Sequence, residues 1–319
     1  MIRRLALALV LAASPAEAND TTAVLAAGGL VPTRAASVAI ESETLYVSPK
    51  EVRVRYRFRN AASFPLTTIV AFPLPEIDLS QLAETPITPG GPGADDFVDF
   101  RLTVGRKAVR PALEMRAWRH GQEVTGILRG HGVPVSRFHP DFYPRLKAVP
   151  PVARAALQAA EIAAWEDHDN VYPLWTMRAA YHWPQVFPGR RSLDVEHRYR
   201  PVVGEGAIGH YLLNDSDEAK AWRARFCVDA ATLAALRRKV AAAPADSPYR
   251  RMRTVGYILR TARNWQGPIG TFRMVLDRER PESILVTCFR GLSAEGPTRL
   301  ASTRRHYLPD RDLEFAIID

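Results

Sequence analysis

Apolar and arginine side chains alternate strictly at residues 52–59, which read Val-Arg-Val-Arg-Tyr-Arg-Phe-Arg. A period of two places every second side chain on the same face, so this segment predicts a strand with one buried and one solvated face. Residues 38–47 form a second strand-like segment, and Ser48, Pro49 and Lys50 lie between the two as a turn. The pattern therefore predicts an antiparallel hairpin.

The charges in this hairpin suggest how its outer face is neutralised. A three-residue loop would place Glu43 opposite Arg55 and Glu41 opposite Arg57. Opposite charges directly across a ladder stabilise the pairing, by about 0.2–1 kcal/mol each. We therefore interpret the arginine row as a solvated, internally neutralised face, with an anion-binding surface as the alternative.

Short strand-like segments continue along the chain, with helices inserted between them. The strand-like segments are residues 66–72, 98–104, 108–118, 175–183, 193–199, 252–262, 269–276, 283–289, 299–307 and 313–318. Helices are expected at residues 121–130 and 151–165, and at residues 229–240, where Asp229 provides an N-cap and basic side chains fill the last turn. The predicted fold class is mainly β (α+β), with an antiparallel β-sandwich-like core and inserted helices.

The first eighteen residues have the pattern of an export signal. Arg3 and Arg4 precede an apolar run at residues 5–13, and small residues follow at 16 and 18. Cleavage is expected between Ala18 and Asn19, with the protein then periplasmic or secreted. The alternative is an apolar first helix of the fold. Beyond residues 1–18 we expect an N-terminal β-sandwich-like region with a helical insertion (19–209) and a C-terminal α+β region (210–319), packed together as one domain.

Composition and charge narrow the class of protein. Of the 319 residues, 47% are hydrophobic and 24% charged, which is typical of a folded globular chain. The formal net charge is +9, from 43 basic and 34 acidic residues. The arginines are scattered rather than gathered with stacking aromatic residues, which argues against nucleic-acid binding. A basic surface would suit an acidic polymer. No run after the signal is long enough for an integral membrane segment.

The two cysteines, Cys227 and Cys288, are expected to form a disulfide in an oxidising compartment. Closing so long a loop is worth roughly 4 kcal/mol in the chain-entropy model. The alternative is a pair of buried thiols that pack as small hydrophobic groups.

Four segments resemble functional motifs, but we favour a structural interpretation for each of them. Residues 204–209 read Gly-Glu-Gly-Ala-Ile-Gly, a literal dinucleotide fingerprint, but no helix convincingly follows to receive a pyrophosphate. Residues 291–296 approach a nucleophile elbow around Ser293, but Pro297 precludes the helix that this motif needs. We read both as structural.

The other two segments are a cluster of potential metal ligands and an aromatic-rich stretch. Residues 165–169 contain Glu166, Asp167, His168 and Asp169, which could bind a divalent ion or could be a solvated acidic helix end. His120, His131 and His139 share no ligand spacing. The aromatic-rich stretch contains Trp165, Tyr172, Trp175, Tyr181 and Trp183. Aromatic side chains can stack on sugar rings, but they more commonly pack in a core.

Several blocks of the mature chain resemble the bacterial domain-of-unknown-function 4424 family of predicted exported proteins. The blocks are Asn19-Asp20 followed by residues 25–30 (Leu-Ala-Ala-Gly-Gly-Leu), residues 68–75 (Thr-Ile-Val-Ala-Phe-Pro-Leu-Pro), residues 195–201 (Val-Glu-His-Arg-Tyr-Arg-Pro), residues 226–229 (Phe-Cys-Val-Asp) and residues 264–270 (Asn-Trp-Gln-Gly-Pro-Ile-Gly). Because the family has no established activity, the resemblance implies no catalytic residues.

A weaker resemblance, over residues 52–204, is to the VIT domains of inter-alpha-trypsin-inhibitor heavy chains. It rests on the strand that ends at Asn60, the Phe-Pro-Leu-Pro end at residues 72–75, a Gly105-Arg106 turn and the segment 117–121. Those domains mediate interactions and are not enzymes.

The sequence therefore predicts an exported envelope protein that acts as a noncatalytic binding or structural module. Its expected partner is an envelope protein or an acidic or glycan polymer, and no catalytic residue, metal ligand or cofactor is assigned. The alternative is an envelope hydrolase acting on a glycan or another polymer. That alternative requires two carboxylates facing each other across a cleft, about 5–10 Å apart.

Overall fold

The computed structural model describes residues 21–26, 29–81, 87–89, 91, 93, 96–167 and 170–319. Its strands are β1 (Thr21–Ala26), β2 (Gly29–Thr33), β3 (Val38–Val47), β4 (Val52–Asn60), β5 (Leu66–Pro73), β6 (Ile77–Asp78), β7 (Ile87–Thr88), β8 (Arg101–Val104), β9 (Lys107–Val109), β10 (Ala112–Arg119), β11 (Gln122–Glu123), β12 (Ala163–Trp165), β13 (Val171–Pro173), β14 (Thr176–Phe187), β15 (Ser192–Tyr199), β16 (Val203–Ile208), β17 (Arg250–Tyr257), β18 (Ile269–Asp277), β19 (Ile284–Thr287), β20 (Ser293–Ala294), β21 (Arg299–Tyr307) and β22 (Leu313–Ile318). The helices are α1 (Thr125–Gly130), α2 (Phe142–Lys147), α3 (Pro151–Ala159), α4 (Asp217–Arg225) and α5 (Ala230–Ala241).

Two sheets form the sandwich. One has the strand order β20-β21-β18-β3-β4-β15-β8-β9, and the other has the order β11-β10-β14-β5-β1-β2, with β6 added to β14. Alternate residues of each sheet face inward because side chains on a strand point to opposite faces in turn. The mainly β architecture with inserted helices that the alternating pattern predicted is therefore confirmed.

His197 lies at the centre of this sandwich. Its ring contacts Phe72 at 4.9 Å and Trp183 at 5.3 Å in one sheet, and Tyr56 at 5.7 Å in the other, measured between ring centroids. The residue is fully buried, and burial lowers its pKa to about 3, because a charged imidazolium is poorly solvated among aromatic rings. The imidazole is therefore a neutral core residue at neutral pH.

The register of the β3–β4 hairpin differs from the expected one by a single residue. Thr44 lies opposite Arg55 and Glu43 lies opposite Tyr56, and the register shifts between Ile40 and Ser42. The loop has four residues rather than three, since Val47 pairs with Val52. The bulge moves Glu43 to the inner face, where it is 1% exposed.

The arginine row on β4 is neutralised mainly by another strand. Arg55 pairs with Glu196 of β15 at 2.6 Å, while Arg57 reaches both Asp194 of β15 at 3.4 Å and Glu41 at 3.3 Å. The solvated, neutralised face thus exists, although the expected Glu43–Arg55 pair does not.

The C-terminal part of the chain completes the sandwich and adds a third sheet. Strand β18 inserts beside β3 in parallel, whereas the other pairings among the described strands are antiparallel. The third sheet has the order β19-β22-β17-β16-β7. One of its faces packs on the sandwich through Val255, Phe315 and Ile317, and the other packs on α4 and α5.

Helices α4 and α5 cover only part of that second face. Their apolar contacts are Trp222, Phe226, Leu236 and Val240, which pack against Ile208, Val286, Ala316 and Ile318 of the sheet. Helix α5 begins at the Asp229 cap, whose carboxylate accepts the Thr232 backbone N–H at 2.7 Å. None of the helices in the described part of the chain is long and apolar enough to cross a membrane.

Candidate functional site

The uncovered part of the third sheet is the floor of a groove of about 750 Å³. Gly204 and Gly206 of β16, with Thr254 and Gly256 of β17, line it. Gly204 pairs with Thr254 in the ladder, so these small residues lie side by side. The groove has room because glycine contributes no side chain to the floor. We refer to this space as the acidic groove, for the charges described below.

Helix α4 is one wall of the acidic groove. Glu218, Ala221, Trp222 and Arg225 all line it. Their spacing of three, four and seven residues places them on one face of a helix. The helix begins where the Ser216 hydroxyl accepts the Ala219 backbone N–H at 3.2 Å.

The opposite wall is the segment between β5 and β6. Leu74 and Pro75 follow the end of β5, where proline cannot continue the ladder. Glu76 and Asp78 come next, and β6 pairs with β14 through Ile77 opposite Met177. The Phe-Pro-Leu-Pro segment thus ends β5 and leads the chain along the edge of the groove to β6 of the same sheet.

The charge of the acidic groove is opposite to that of the protein. Five carboxylate residues and one arginine are found among its described lining residues: Glu76, Asp78, Glu205, Glu218, Glu314 and Arg225. The chain as a whole carries a formal net charge of +9. A concave surface with one sign of charge concentrates ligands of the opposite sign.

Three of the five carboxylates are held by arginines. Arg178 pairs with Glu76 at 2.8 Å, and Arg251 pairs with Glu205 at 2.6 Å. Arg225 makes a bidentate pair with Glu314, which links the α4 wall to the floor. Their oxygens are already occupied by guanidinium donors, so these residues shape the groove and are poorly placed to transfer a proton to a substrate.

Glu218 is the carboxylate most available to a ligand. It lies in the first turn of α4, and no arginine, lysine or histidine of the described part of the chain pairs with it. Tyr211 is close enough to be affected by it: burial, then the charge of Glu218, raise the pKa of Tyr211. The Tyr211 hydroxyl donates to the Ala207 carbonyl at 2.6 Å, which fixes the ring. A carboxylate and aromatic surfaces together suit a cation.

A disulfide anchors the α4 wall. Cys227 follows the last turn of α4, and its Sγ is bonded to Cys288, which follows β19. Cys227 has a positive φ of 51°, the left-handed conformation in which helices commonly end. The structure thus contains the expected disulfide between the two cysteines. The bond attaches the C-terminal end of α4, where Arg225 lies, to the third sheet.

Residues 204–209, which match the dinucleotide fingerprint in sequence, have a different role in the structure. Gly204 and Gly206 lie on β16, an antiparallel strand, and a short 3-10 turn follows at His210–Leu212. No helix N-terminus is present there to bind a pyrophosphate, so this is not a dinucleotide site. The glycines serve a different purpose, as the floor of the acidic groove.

The remaining motifs do not form sites in the described residues. Ser293 lies on β20 paired with β21, where no helix follows it. Glu166 accepts the Tyr172 hydroxyl at 3.1 Å and Asp167 accepts the Asn170 backbone, while His168 and Asp169 lie outside the described residues. No group of three potential metal ligands is found among the described residues. Trp175, Tyr181 and Trp183 are core residues.

The expected export signal at residues 1–18 and the cleavage site at Ala18 and Asn19 also lie outside the described residues. Sequence reasoning missed the α4 wall altogether. The signals that could have found it were Ser216 followed by two acidic residues, and the helical spacing from Glu218 to Arg225.

The fold and the groove define a β-sandwich protein with a helix-covered third sheet and an open, acidic cleft beside the covering helix. The family model "Domain of unknown function (DUF4424)" matches residues 18–315, and the chain belongs to this family. No curated protein matches the sequence.

A crystal structure from Legionella pneumophila subsp. pneumophila, provisionally described as a nutrient binding protein, is similar to this chain at 16% sequence identity and a TM-score of 0.47. The similarity covers 94% of this chain and 70% of that one. The resemblance to VIT domains stays a prediction.

Proposed function

We propose that the protein is an exported, noncatalytic binding module of the envelope that holds a cationic ligand in the acidic groove. The observation that carries the proposal is the groove's excess of carboxylates within a basic chain. Glu218 supplies an unoccupied carboxylate, and Tyr211 and Trp222 supply aromatic surface. An acidic polymer, which the overall charge had suggested as a partner, is not favoured at this groove because like charges repel.

The same geometry favours binding over hydrolysis. A glycosidase needs one carboxylic acid free to protonate the leaving oxygen and a second carboxylate facing it. Here Glu76, Glu205 and Glu314 are paired with arginines, and Asp78 accepts hydrogen bonds from the backbone N–H and the hydroxyl of Ser80. The described residues that line the groove include no serine, cysteine, histidine or lysine to act as nucleophile or general base. These features support a site that recognises charge and shape.

The ligand class is tested with three capped tripeptides that share a central leucine and carry positive, neutral or negative flanking residues: Lys-Leu-Lys, Gln-Leu-Gln and Glu-Leu-Glu. We expect calorimetry to show that Lys-Leu-Lys binds at least about ten-fold more tightly than Gln-Leu-Gln, which corresponds to about 1.4 kcal/mol. Glu-Leu-Glu should bind most weakly. Added salt should weaken the binding of Lys-Leu-Lys, since its charges are partly exposed to solvent.

Matched variants test whether the tripeptides bind in the acidic groove. Glu218→Gln should weaken Lys-Leu-Lys by about ten-fold, because it removes one charge-assisted hydrogen-bond acceptor. Gly206→Val should weaken all three peptides by placing a side chain on the floor. Glu282→Gln, an exposed change away from the groove, should leave binding unaltered. Binding of none of the peptides, preference for Glu-Leu-Glu, or indifference to Glu218→Gln would each exclude the cationic-ligand proposal.

Export is the second part of the proposal. The leader-like pattern at residues 1–18 and the disulfide support it. Protein recovered from the native envelope fraction should begin at Asn19 when its N-terminus is sequenced. A cytoplasmic protein that retains residues 5–13 would contradict this part and leave the groove proposal to its own test.

A further inference from the structure

A second concave surface, opposite in charge to the acidic groove, is lined in part by residues of α1 and α2. It encloses about 640 Å³, and eleven residues line it: Leu113, Met115, Arg129, Gly132, Val133, Pro134, Val135, Ser136, His139, Asp141 and Arg145. We refer to it as the basic cleft. None of its lining residues is shared with the acidic groove.

The apolar part of the basic cleft comes from β10 and from the segment after α1. Leu113 and Met115 are two residues apart on β10 and therefore share a face. Val133 is 1% exposed and Val135 is 8% exposed, so both are set into the protein. The Val133 backbone N–H donates to the Leu128 carbonyl at 2.9 Å, which holds this segment against α1. These residues give the cleft an apolar side for an aliphatic ligand chain.

The polar part consists of hydrogen-bond donors. Arg129 in the last turn of α1 and Arg145 in α2 are both exposed, and neither has an ion pair or a side-chain hydrogen bond within the described part of the chain. By contrast, Arg116, Arg225 and Arg253 are each paired with a carboxylate. Asp141 is the one carboxylate among the described residues lining the cleft.

His139 adds a third donor. Its Nδ1 accepts the Asp141 backbone N–H at 3.1 Å. A ring nitrogen that accepts a hydrogen bond carries no proton, so in the neutral ring the proton is on Nε2. The contact with Asp141 does not use the Nε2–H group, which can therefore donate a hydrogen bond to a ligand.

We infer that the basic cleft binds an anionic amphiphile, with a carboxylate head between Arg129, Arg145 and His139 and a short aliphatic chain along Met115, Val133 and Val135. Guanidinium groups suit a carboxylate because their two N–H donors match its two oxygens. The charge complementarity selects the head, and the apolar residues select the chain. The inference is independent of the proposed cationic ligand.

The test uses decanoate, below its micelle concentration, with decanol and decyltrimethylammonium as probes of the same chain length and acetate as a probe of the head alone. Calorimetry on the full protein should give binding of decanoate that is at least about ten-fold tighter than that of the other three, about 1.4 kcal/mol. Each of Arg129→Gln and Arg145→Gln should weaken decanoate by about ten-fold, because each removes a charged donor.

Two control variants distinguish decanoate binding at the basic cleft from binding caused by the overall positive charge and from binding at the acidic groove. Arg106→Gln removes an exposed arginine in the turn between β8 and β9 and should leave decanoate binding unaltered. Glu218→Gln should also leave it unaltered. The inference is overturned if decanoate fails to bind, if decyltrimethylammonium binds as tightly, or if the variant lacking both cleft arginines retains wild-type affinity.

Discussion

Replacing Cys227 and Cys288 together by serine is expected to lower the free energy of unfolding by about 4 kcal/mol, since a disulfide that closes a long loop chiefly restricts the unfolded chain. The two cysteines are 61 residues apart in sequence. The loss should be measured by urea denaturation of the oxidised protein and of the double variant, monitored by tryptophan fluorescence. The slope of the transition should also rise, because the uncrosslinked chain exposes more surface when it unfolds.

The wild-type protein with and without reductant provides the internal control. Reductant should destabilise the wild type by a similar amount and should not affect the double variant. Because the bond holds the end of α4 against the third sheet, the double variant should also bind the cationic tripeptide more weakly than the wild type. A double variant as stable as the oxidised wild type would show that the bond contributes nothing to folding.

Replacing Arg253 by methionine is expected to cost about 3–5 kcal/mol, which is the usual effect of removing one partner of a buried ion pair. Arg253 is only 7% exposed, and it lies between Glu279 and Asp319. The Ser283 hydroxyl donates to the same Asp319 oxygen at 2.8 Å. Methionine has a similar length, so the main change is that two shielded carboxylates lose their shared guanidinium. Glu279 keeps its pair with Lys50 at 3.2 Å, whereas Asp319 loses the one cation that pairs with it among the described residues.

Two further variants separate this charge effect from a packing effect. Adding Glu279→Gln and Asp319→Asn to Arg253→Met should recover much of the lost stability, because both side chains that lost the guanidinium are then uncharged. Arg55→Met removes an exposed arginine from its pair with Glu196 and should cost at most about 1 kcal/mol. If Arg253→Met were no more harmful than Arg55→Met in the same denaturation experiment, the buried network would have no special importance.

The strands of this protein could be predicted well where alternation was strong. Residues 38–47, 299–307 and 313–318 match β3, β21 and β22 at both ends. In β3, buried positions recur at nearly every second residue, so the period of two is visible in the sequence. Strand β22 is instead buried on both faces, and a short continuous apolar run after turn residues indicates it. The helix at residues 229–240 was recognisable for a similarly local reason, because the Asp229 cap and the basic last turn are adjacent to it in sequence.

Other elements were hidden because their signals are weak or depend on distant residues. Helix α4 is mostly charged, and only Ala219 and Trp222 of its residues are buried, so its apolar period is faint. Residues 151–165 were expected to be one helix, but α3 ends at Ala159 and Glu161 takes a positive φ of 52° before β12 begins. The spacing of apolar residues in this segment does not indicate that change of conformation.

The sequence by itself determined the β-rich class, the solvated arginine face, the helix cap at Asp229 and the two cysteines available for a bridge, because each follows from residue type and local spacing. Tertiary structure decided the one-residue shift of the β3–β4 register, the parallel insertion of β18 beside β3, and the site itself. The acidic groove combines residues 74–78, 204–206, 218–225 and 254–256, which are brought together only by packing. Its charge, opposite to that of the whole chain, is a property of that arrangement and is invisible in composition.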